Sequence, residues 1–348
     1  MRATLITGAT GFIGSHVTRA LLARGDDVVA TVRPSSDTRE LERLGVTTRV
    51  ADIRDRDAIR KAMRGVSKLF HVAGNSDPTA SRPCCFAIDV EGTRIVLEEA
   101  LKAGVEQVVL TSSIAAIGPA APDTVADENT PWDAAKYRIP FVDAKHEVEL
   151  TARRMLARGL PIVIVNPGRV LGPGDPGPSS TAFVRRFLRR EIPAYVDGTI
   201  NIVGVEDVAR GHLLADERGV HGERYILGNR NFTISRLMAD LGRLSGVEPP
   251  QLKLPLPLAL TLASAGVQAP RRGIPSPMSV RLTSLRWAYS SEKAKRDLRW
   301  ATSPHEDCLE ATIAYYRSIE QDSLAPPGSR QPAALRIAGG LLRAVRLG

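Results

Sequence analysis

Gly8, Gly11 and Gly14 recur at three-residue intervals in Thr7-Gly8-Ala9-Thr10-Gly11-Phe12-Ile13-Gly14. Residues this small, this closely spaced, suit backbone that must approach a phosphate. Gly8 permits the positive φ of a tight turn, Gly11 lets backbone come close to a pyrophosphate, and Gly14 lets the next helix lie near a sheet. The elements that would position them stand on either side. An apolar run at residues 3–6 precedes the turn, and Phe12, Ile13, Val17, Ala20 and Leu21 follow it at helical spacing. Strand, turn and helix in that order aim the free N–H groups of the helix start, and its dipole, at the phosphates. This context makes the glycine spacing a nucleotide-binding signal. A second candidate group, Thr111, Ser112 and Ser113, ends a strand expected over residues 107–113. Open α/β sheets place their ligands at that edge.

The elements between these groups follow an alternating order. Residues 27–32 are β-branched and read as a second buried parallel strand. The end of such a strand governs cofactor choice: an acidic residue binds a ribose of NAD, whereas an arginine can hold the 2′-phosphate of NADP. Arg33 stands there, with Arg39 and Arg43 able to add charge, so NADP(H) is favoured, with NAD(H) the alternative. A third strand is expected at 47–50, and Asp55 is placed to cap the helix after it. A fourth, at 68–74, ends in Val72, Ala73 and Gly74, where backbone can pass close to a ribose and nicotinamide. His71, inside that apolar strand, reads as a satisfied interior histidine. A long helix is expected from Phe86 to Ala103, and a sixth strand near 161–166. Residues 171–178 are too rich in Gly and Pro for regular structure and read as a substrate-side loop.

Bulk properties narrow the classes. The chain has 348 residues, 43% hydrophobic and 24% charged, the balance of an ordinary globular protein. A net charge of +9 is spread along the chain, and aromatic residues are only 5%. Without a basic–aromatic cluster this charge suits an anionic cofactor and not nucleic acid. Three cysteines, two adjacent, supply neither a disulfide framework nor a metal-ligand spacing. No metal is expected, and a reducing cytoplasm is the simple inference, the first strand leaving no room for a signal peptide. The apolar stretch 254–267 is too short, and too broken by proline, to span a membrane.

The motif at residues 7–14 resembles that of the extended short-chain dehydrogenase/reductases, the family of nucleotide-sugar epimerases and dihydroflavonol reductases. Ala30-Thr31-Val32-Arg33-Pro34 and residues 192–197 look most like the dihydroflavonol-reductase branch and the hopanoid-associated epimerase-like proteins. The resemblance spans roughly residues 1–320. It implies a doubly wound parallel sheet (Rossmann) with a small C-terminal substrate-binding cap. Residues 1–170 would be the NADP(H)-binding domain, 171–322 mixed segments completing the sheet and forming the cap, and 323–348 a flexible linker and basic tail. It also implies that Asp52 and Ile53 lie along the adenine, and that Pro167, Gly168 and Val170 belong to a loop over the nicotinamide. Thr111 and Ser112 would line the pocket, and Ser113 would hydrogen-bond the substrate oxygen.

Two positions depart from the family. Its Tyr-x-x-x-Lys motif falls on Phe141-Val142-Asp143-Ala144-Lys145, so Lys145 is present to hold the nicotinamide ribose and the phenol is not. Phenylalanine has no proton to give. Tyr137 ranks first as a replacement acid and Lys145 second; otherwise Phe141 is an apolar pocket wall. Asp89 stands where the family has an asparagine that positions the lysine. The leading reading is an NAD(P)(H)-binding reductase or epimerase acting on a carbonyl or hydroxyl of a small organic substrate. The alternatives are a lyase, isomerase or cyclase on the same scaffold, or a non-catalytic NADP(H)-binding sensor. Relatives commonly pair as homodimers, and the basic tail is a candidate for weak contact with a membrane surface.

Overall fold

Why the central strands bury both faces is written in their composition. β1 (Ala3–Thr7) and β2 (Val28–Val32) are mostly apolar and buried at every position, as strands covered on two sides are. The computed structural model describes residues 3–175, 177, 180–268, 275–333 and 335. In chain order, α1 (Phe12–Arg24) links β1 to β2; α2 (Arg39–Arg43), β3 (Thr47–Val50), α3 (Arg56–Ala62) and β4 (Val66–His71) follow. Then come α4 (Arg82–Cys85), α5 (Gly92–Ala103), β5 (Gln107–Thr111), α6 (Pro140–Leu156), β6 (Ile162–Pro167), β7 (Arg169–Leu171), α7 (Ala182–Leu188), β8 (Ala194–Val196) and β9 (Thr199–Gly204). The remainder is α8 (Val205–Arg218), β10 (Arg224–Leu227), β11 (Arg230–Thr233), α9 (Ile234–Ser245), β12 (Leu252–Leu254), α10 (Leu256–Gln268), α11 (Pro277–Ser284), α12 (Glu292–Leu298) and α13 (His305–Ile319).

Seven strands form one parallel sheet in the order β10-β6-β5-β4-β1-β2-β3. Alternate residues feed two cores. Ile6, Phe70 and Val109 pack with α1 and α8 through Val17, Leu21 and Val208, whereas Leu5, Leu69 and Val108 pack with α5 and α6 through Val96 and Val148. The order reverses between β1 and β4, and that switch point opens a crevice at their carboxyl ends. The chain after β6 divides its work. β10 extends the main sheet, β11-β9-β7 and β12-β8 form small sheets, and α7, α9 and α13 close a third core around Leu188, Leu237 and Leu309.

Asp55 caps α3, accepting from the N–H groups of Asp57 and Ala58. The long helix expected from Phe86 begins instead as a π turn, Phe86–Glu91, before α5. Residues 323–331, expected as a flexible linker, are held to the body: Ala325 N–H donates to Leu188 O and Gly328 N–H to Gly246 O, at 2.9 and 2.8 Å. Pro-Gly composition did not signal that docking. The basic tail from residue 336 onward lies outside the described residues, as do 176, 178 and 179 of the Gly/Pro-rich loop. No helix among the described residues is long and apolar enough to cross a membrane.

Candidate functional site

The glycine turn bridges β1 and α1 at the switch point. Gly8 sits at φ +77°, and a Cβ there would lie 2.7 Å from the Ala73 nitrogen. A Cβ on Gly14 would lie 2.0 Å from the Gly8 carbonyl oxygen, so only glycine allows α1 this close to the strand end. Gly11 occupies the N-cap of α1 with no side chain bonded across the helix start, leaving the first N–H groups, at Phe12 and Ile13, without a side-chain cap. Across the turn, Val72 N–H donates to Thr7 O, and Ala73 N–H to Thr7 Oγ1, at 3.3 and 3.2 Å. His71 is bonded at both ring nitrogens, to Thr7 and Thr93. Burial, helped by the Lys145 charge, pushes its pKa down to about 3, so the ring is neutral and structural.

Arg33 is exposed at the end of β2. Among the described residues no carboxylate comes within ion-pair distance of its guanidinium, whereas Arg39 is paired with Asp37. Asp52 is engaged by Arg54, Nε to Oδ1 at 3.0 Å, which with a smaller pull from Arg33 holds its carboxyl down to about 2. Ile53 lies against Gly92, where a Cβ would meet its Cδ1 at 2.7 Å.

Pro140 starts α6, a position where its missing N–H costs nothing. Four residues apart, Phe141 and Lys145 share one face, with Nζ 5.5 Å from the ring centroid. Lys145 is buried and its Nζ donates to Asp89 Oδ1 at 2.9 Å. The π turn delivers Asp89 to that point. Asn75 N–H also donates to Oδ1, at 2.8 Å, while the buried Oδ2 has no partner. A Cβ on Gly74 would stand 2.8 Å from Asp89 Oδ1 and 3.2 Å from Lys145 Nζ, so the strand end must be glycine for the pair to form.

Ser113 heads a short 3₁₀ turn, Ile114–Ala116, and its Oγ accepts from Ala115 N–H at 3.2 Å, which leaves its own proton to donate. Thr111 and Ser112 do not line the pocket as expected. Thr111 Oγ1 pairs with His212 Nε2 at 2.8 Å, and Ser112 Oγ donates to Glu149 Oε1 at 2.7 Å. Alternation along the strand turns those hydroxyls into the layers above and below the sheet. Tyr137 belongs to a 3₁₀ turn, Ala134–Tyr137, and packs beside Trp132 and Phe141 on Ala115, Ile139 and Val142. Its ring is not part of the cavity wall that Phe141 and Ser113 share.

That cavity has a volume of about 460 Å³ and runs from Ser113, Phe141 and Gly168 to the cap residues Leu237, Ala263 and Val280. Gly168 donates its N–H to Leu227 O, and a Cβ there would collide with Asn201 Oδ1 at 2.5 Å. Pro167 and Val170 are buried, the latter in the core of the main sheet. Three supporting residues, Asn166, Glu149 and Arg224, escaped the sequence reading. Asn166 Nδ2 holds the Ser113 carbonyl at 2.9 Å and Glu149 at 2.6 Å, and Arg224 closes the network on Glu149 Oε2 at 2.9 Å. A polar residue inside the apolar β6 run was the available signal. A dinucleotide fits these residues: a cradle where any Cβ would collide, an uncapped helix start, and an orphaned carboxylate oxygen beside Lys145.

The family model for the NAD dependent epimerase/dehydratase family matches residues 4–228. A protein of Synechocystis sp. assigned as a dihydroflavonol 4-reductase is 37% identical over 323 residues, covering 90% of this chain and 94% of that one. Sterol demethylase protein B of Methylococcus capsulatus is 34% identical over 326 residues, covering 90% and 98%. The crystal structure of gox2253 superposes with a TM-score of 0.81 at 35% identity, over 92% of this chain and 99% of that one.

Proposed function

Because this chain belongs to the NAD dependent epimerase/dehydratase family, we propose that it is an NADP(H)-dependent oxidoreductase acting on a carbonyl or hydroxyl of a bulky, largely apolar substrate. The observation that carries this reading is the apolar cavity lined by Ser113 and Phe141, with Lys145 on the helix face of Phe141 and paired with Asp89 of the π turn. The names of the two relatives, a reductase and a sterol demethylase, support the reaction class and the size of the substrate.

Thr7, Gly8, Gly11, Phe12, Ile13 and Gly14 would hold the pyrophosphate, Arg33 the 2′-phosphate, and Asp52 and Ile53 the adenine side. Val72, Ala73, Gly74, Pro167 and Gly168 would flank the nicotinamide, with Lys145 on its ribose; Thr111 and Val170, whose side chains are turned into the layers of the fold, would contribute backbone only. The cofactor supplies or accepts hydride when bound. Ser113 donates its free proton to the substrate oxygen and orients it. Phe141 excludes water from the wall and cannot exchange a proton, so that task falls to Tyr137, reached by movement of its turn, or to Lys145. The same Phe141 favours a second reading, a lyase, isomerase or cyclase in which the nucleotide is recycled within each turnover.

The test follows NADPH oxidation by wild type, Tyr137→Phe and Phe141→Tyr with apolar ketones and aldehydes. Wild-type turnover that is lost in Tyr137→Phe is the expected result. Turnover gained only by Phe141→Tyr would overturn the proposal, and substrate conversion without net NADPH change would select the second reading.

A further inference from the structure

Two guanidinium groups reach the wall of an otherwise apolar cavity, and they are held differently. Arg186 stands 4.0 Å from the Glu191 carboxylate and donates to its carbonyl. Arg169 has no such partner. It begins β7, where pairing with Ile202 of β9 fixes its backbone. Its Nη1 donates to the Ser180 carbonyl at 3.0 Å, and its guanidinium lies 5.6 Å from the centre of the Phe183 ring. Among the described residues no carboxylate comes within ion-pair distance of it. Asp175 acts on it only from further away, and Asp175 Oδ2 is occupied by the N–H and hydroxyl of Thr181, at 3.2 and 2.7 Å. Arg169 is half-buried, and its partial removal from water lowers the guanidinium pKa from its ordinary value. An arginine has five N–H donors, and among the described residues only one of these is bonded.

We infer that Arg169 is the recognition site for an anionic group, a carboxylate or a phosphate monoester, carried by the apolar ligand of this cavity. A cation drawn partly out of water is stabilised where it is paired, and the planar fork of a guanidinium matches both anions in two-point contact. Apart from Arg169 and the engaged Arg186, the described wall, which includes Ile192, Leu237, Met238 and Val280, carries no charged side chain. The ligand is therefore an amphipathic acid with its apolar body along the cap. This deepens the proposed function by naming the class of substrate, but it does not need the hydride step, because binding alone tests it.

Isothermal titration of the full chain with dodecanoate, dodecyl phosphate and dodecanol compares three heads on one apolar body. Wild type is expected to bind at least one of the anions about tenfold or more tighter than the alcohol, the worth of a charge-assisted hydrogen bond. Arg169→Met should abolish that preference while keeping dodecanol affinity within about twofold, which also reports an intact fold. Arg169→Gln is the second variant if the first does not fold, with the same expectation. Whichever anion is preferred identifies the head group. Equal affinities in wild type, or a preference that survives loss of Arg169, overturns the inference. So does anion binding that persists in Ala263→Trp, in which the cavity is filled. Absence of NADPH turnover would sink the reductase reading and leave these binding results untouched.

Discussion

At the scale of single residues, the site is built on atoms that other side chains would displace. Gly14 allows α1 to approach the Gly8 carbonyl to a distance no Cβ can share. Gly14→Ala should weaken NADPH binding by at least about tenfold, which corresponds to ~1.4 kcal/mol, read by quenching of nucleotide fluorescence. Gly74→Ala should do the same by pushing Asp89 away from Lys145. His71 and His212 are fully interior, and burial holds their pKa values down to about 3 and about 4. An unfolded chain protonates them at about 6.5, so below that pH it binds protons the folded chain refuses. Stability should therefore be insensitive to these groups above pH 6.5 and fall as pH drops toward 4. Each contributes at most ~1.4 kcal/mol per pH unit over that window. Urea unfolding of wild type and His212→Gln between pH 7 and 5 tests the sign: a variant as steep as wild type would refute it.

At the scale of elements, a π turn and one helix face do the positioning. The π turn before α5 carries Asp89 to Lys145, and α6 presents Phe141, Lys145 and Glu149 along successive turns. Glu149 is buried and takes Ser112, Asn166 and Arg224 at once. Its loss takes the paired carboxylate from Arg224, which then keeps the Glu128 carbonyl, and frees the amide that holds the Ser113 carbonyl. Glu149→Leu should cost about 3 kcal/mol or more in urea unfolding, the usual penalty for breaking a buried pair. The double variant with Arg224→Met should recover part of it. If the single change is silent, the network is not what secures the end of β5.

At the scale of the whole molecule, the parallel sheet provides the crevice and the later chain provides the cavity. The glycine turn is absent from the cavity wall, which is shared by Ser113 and Phe141 with β8, α9, α10 and α11. Nucleotide and apolar ligand should therefore respond to separate substitutions. Leu237→Trp, which fills the cavity from α9, should abolish binding of an apolar ligand such as dodecanol and leave NADPH affinity within about twofold, since a site of this size depends on buried apolar contact. Parallel loss of both would mean that the two ligands share one space.

The sequence by itself determined the fold class, because it rests on local patterns. Apolar runs at strand spacing, the three glycines of the β1–α1 turn and the Asp55 cap are decided within a few residues, and the structure has the strands, the turn and the cap at those positions. The absence of a phenol at Phe141 was equally visible, since it is a matter of residue type. What the tertiary structure decided is which polar groups are spent and which remain. Thr111, Ser112 and Asn166 look alike as strand-end polar residues, yet their hydroxyls and amide are bonded to partners 101, 37 and 17 residues away. The π turn, the docked 323–331 segment and the cavity around Arg169 arise likewise from contacts between distant segments. Burial and pairing are properties of those contacts, and no local spacing encodes them.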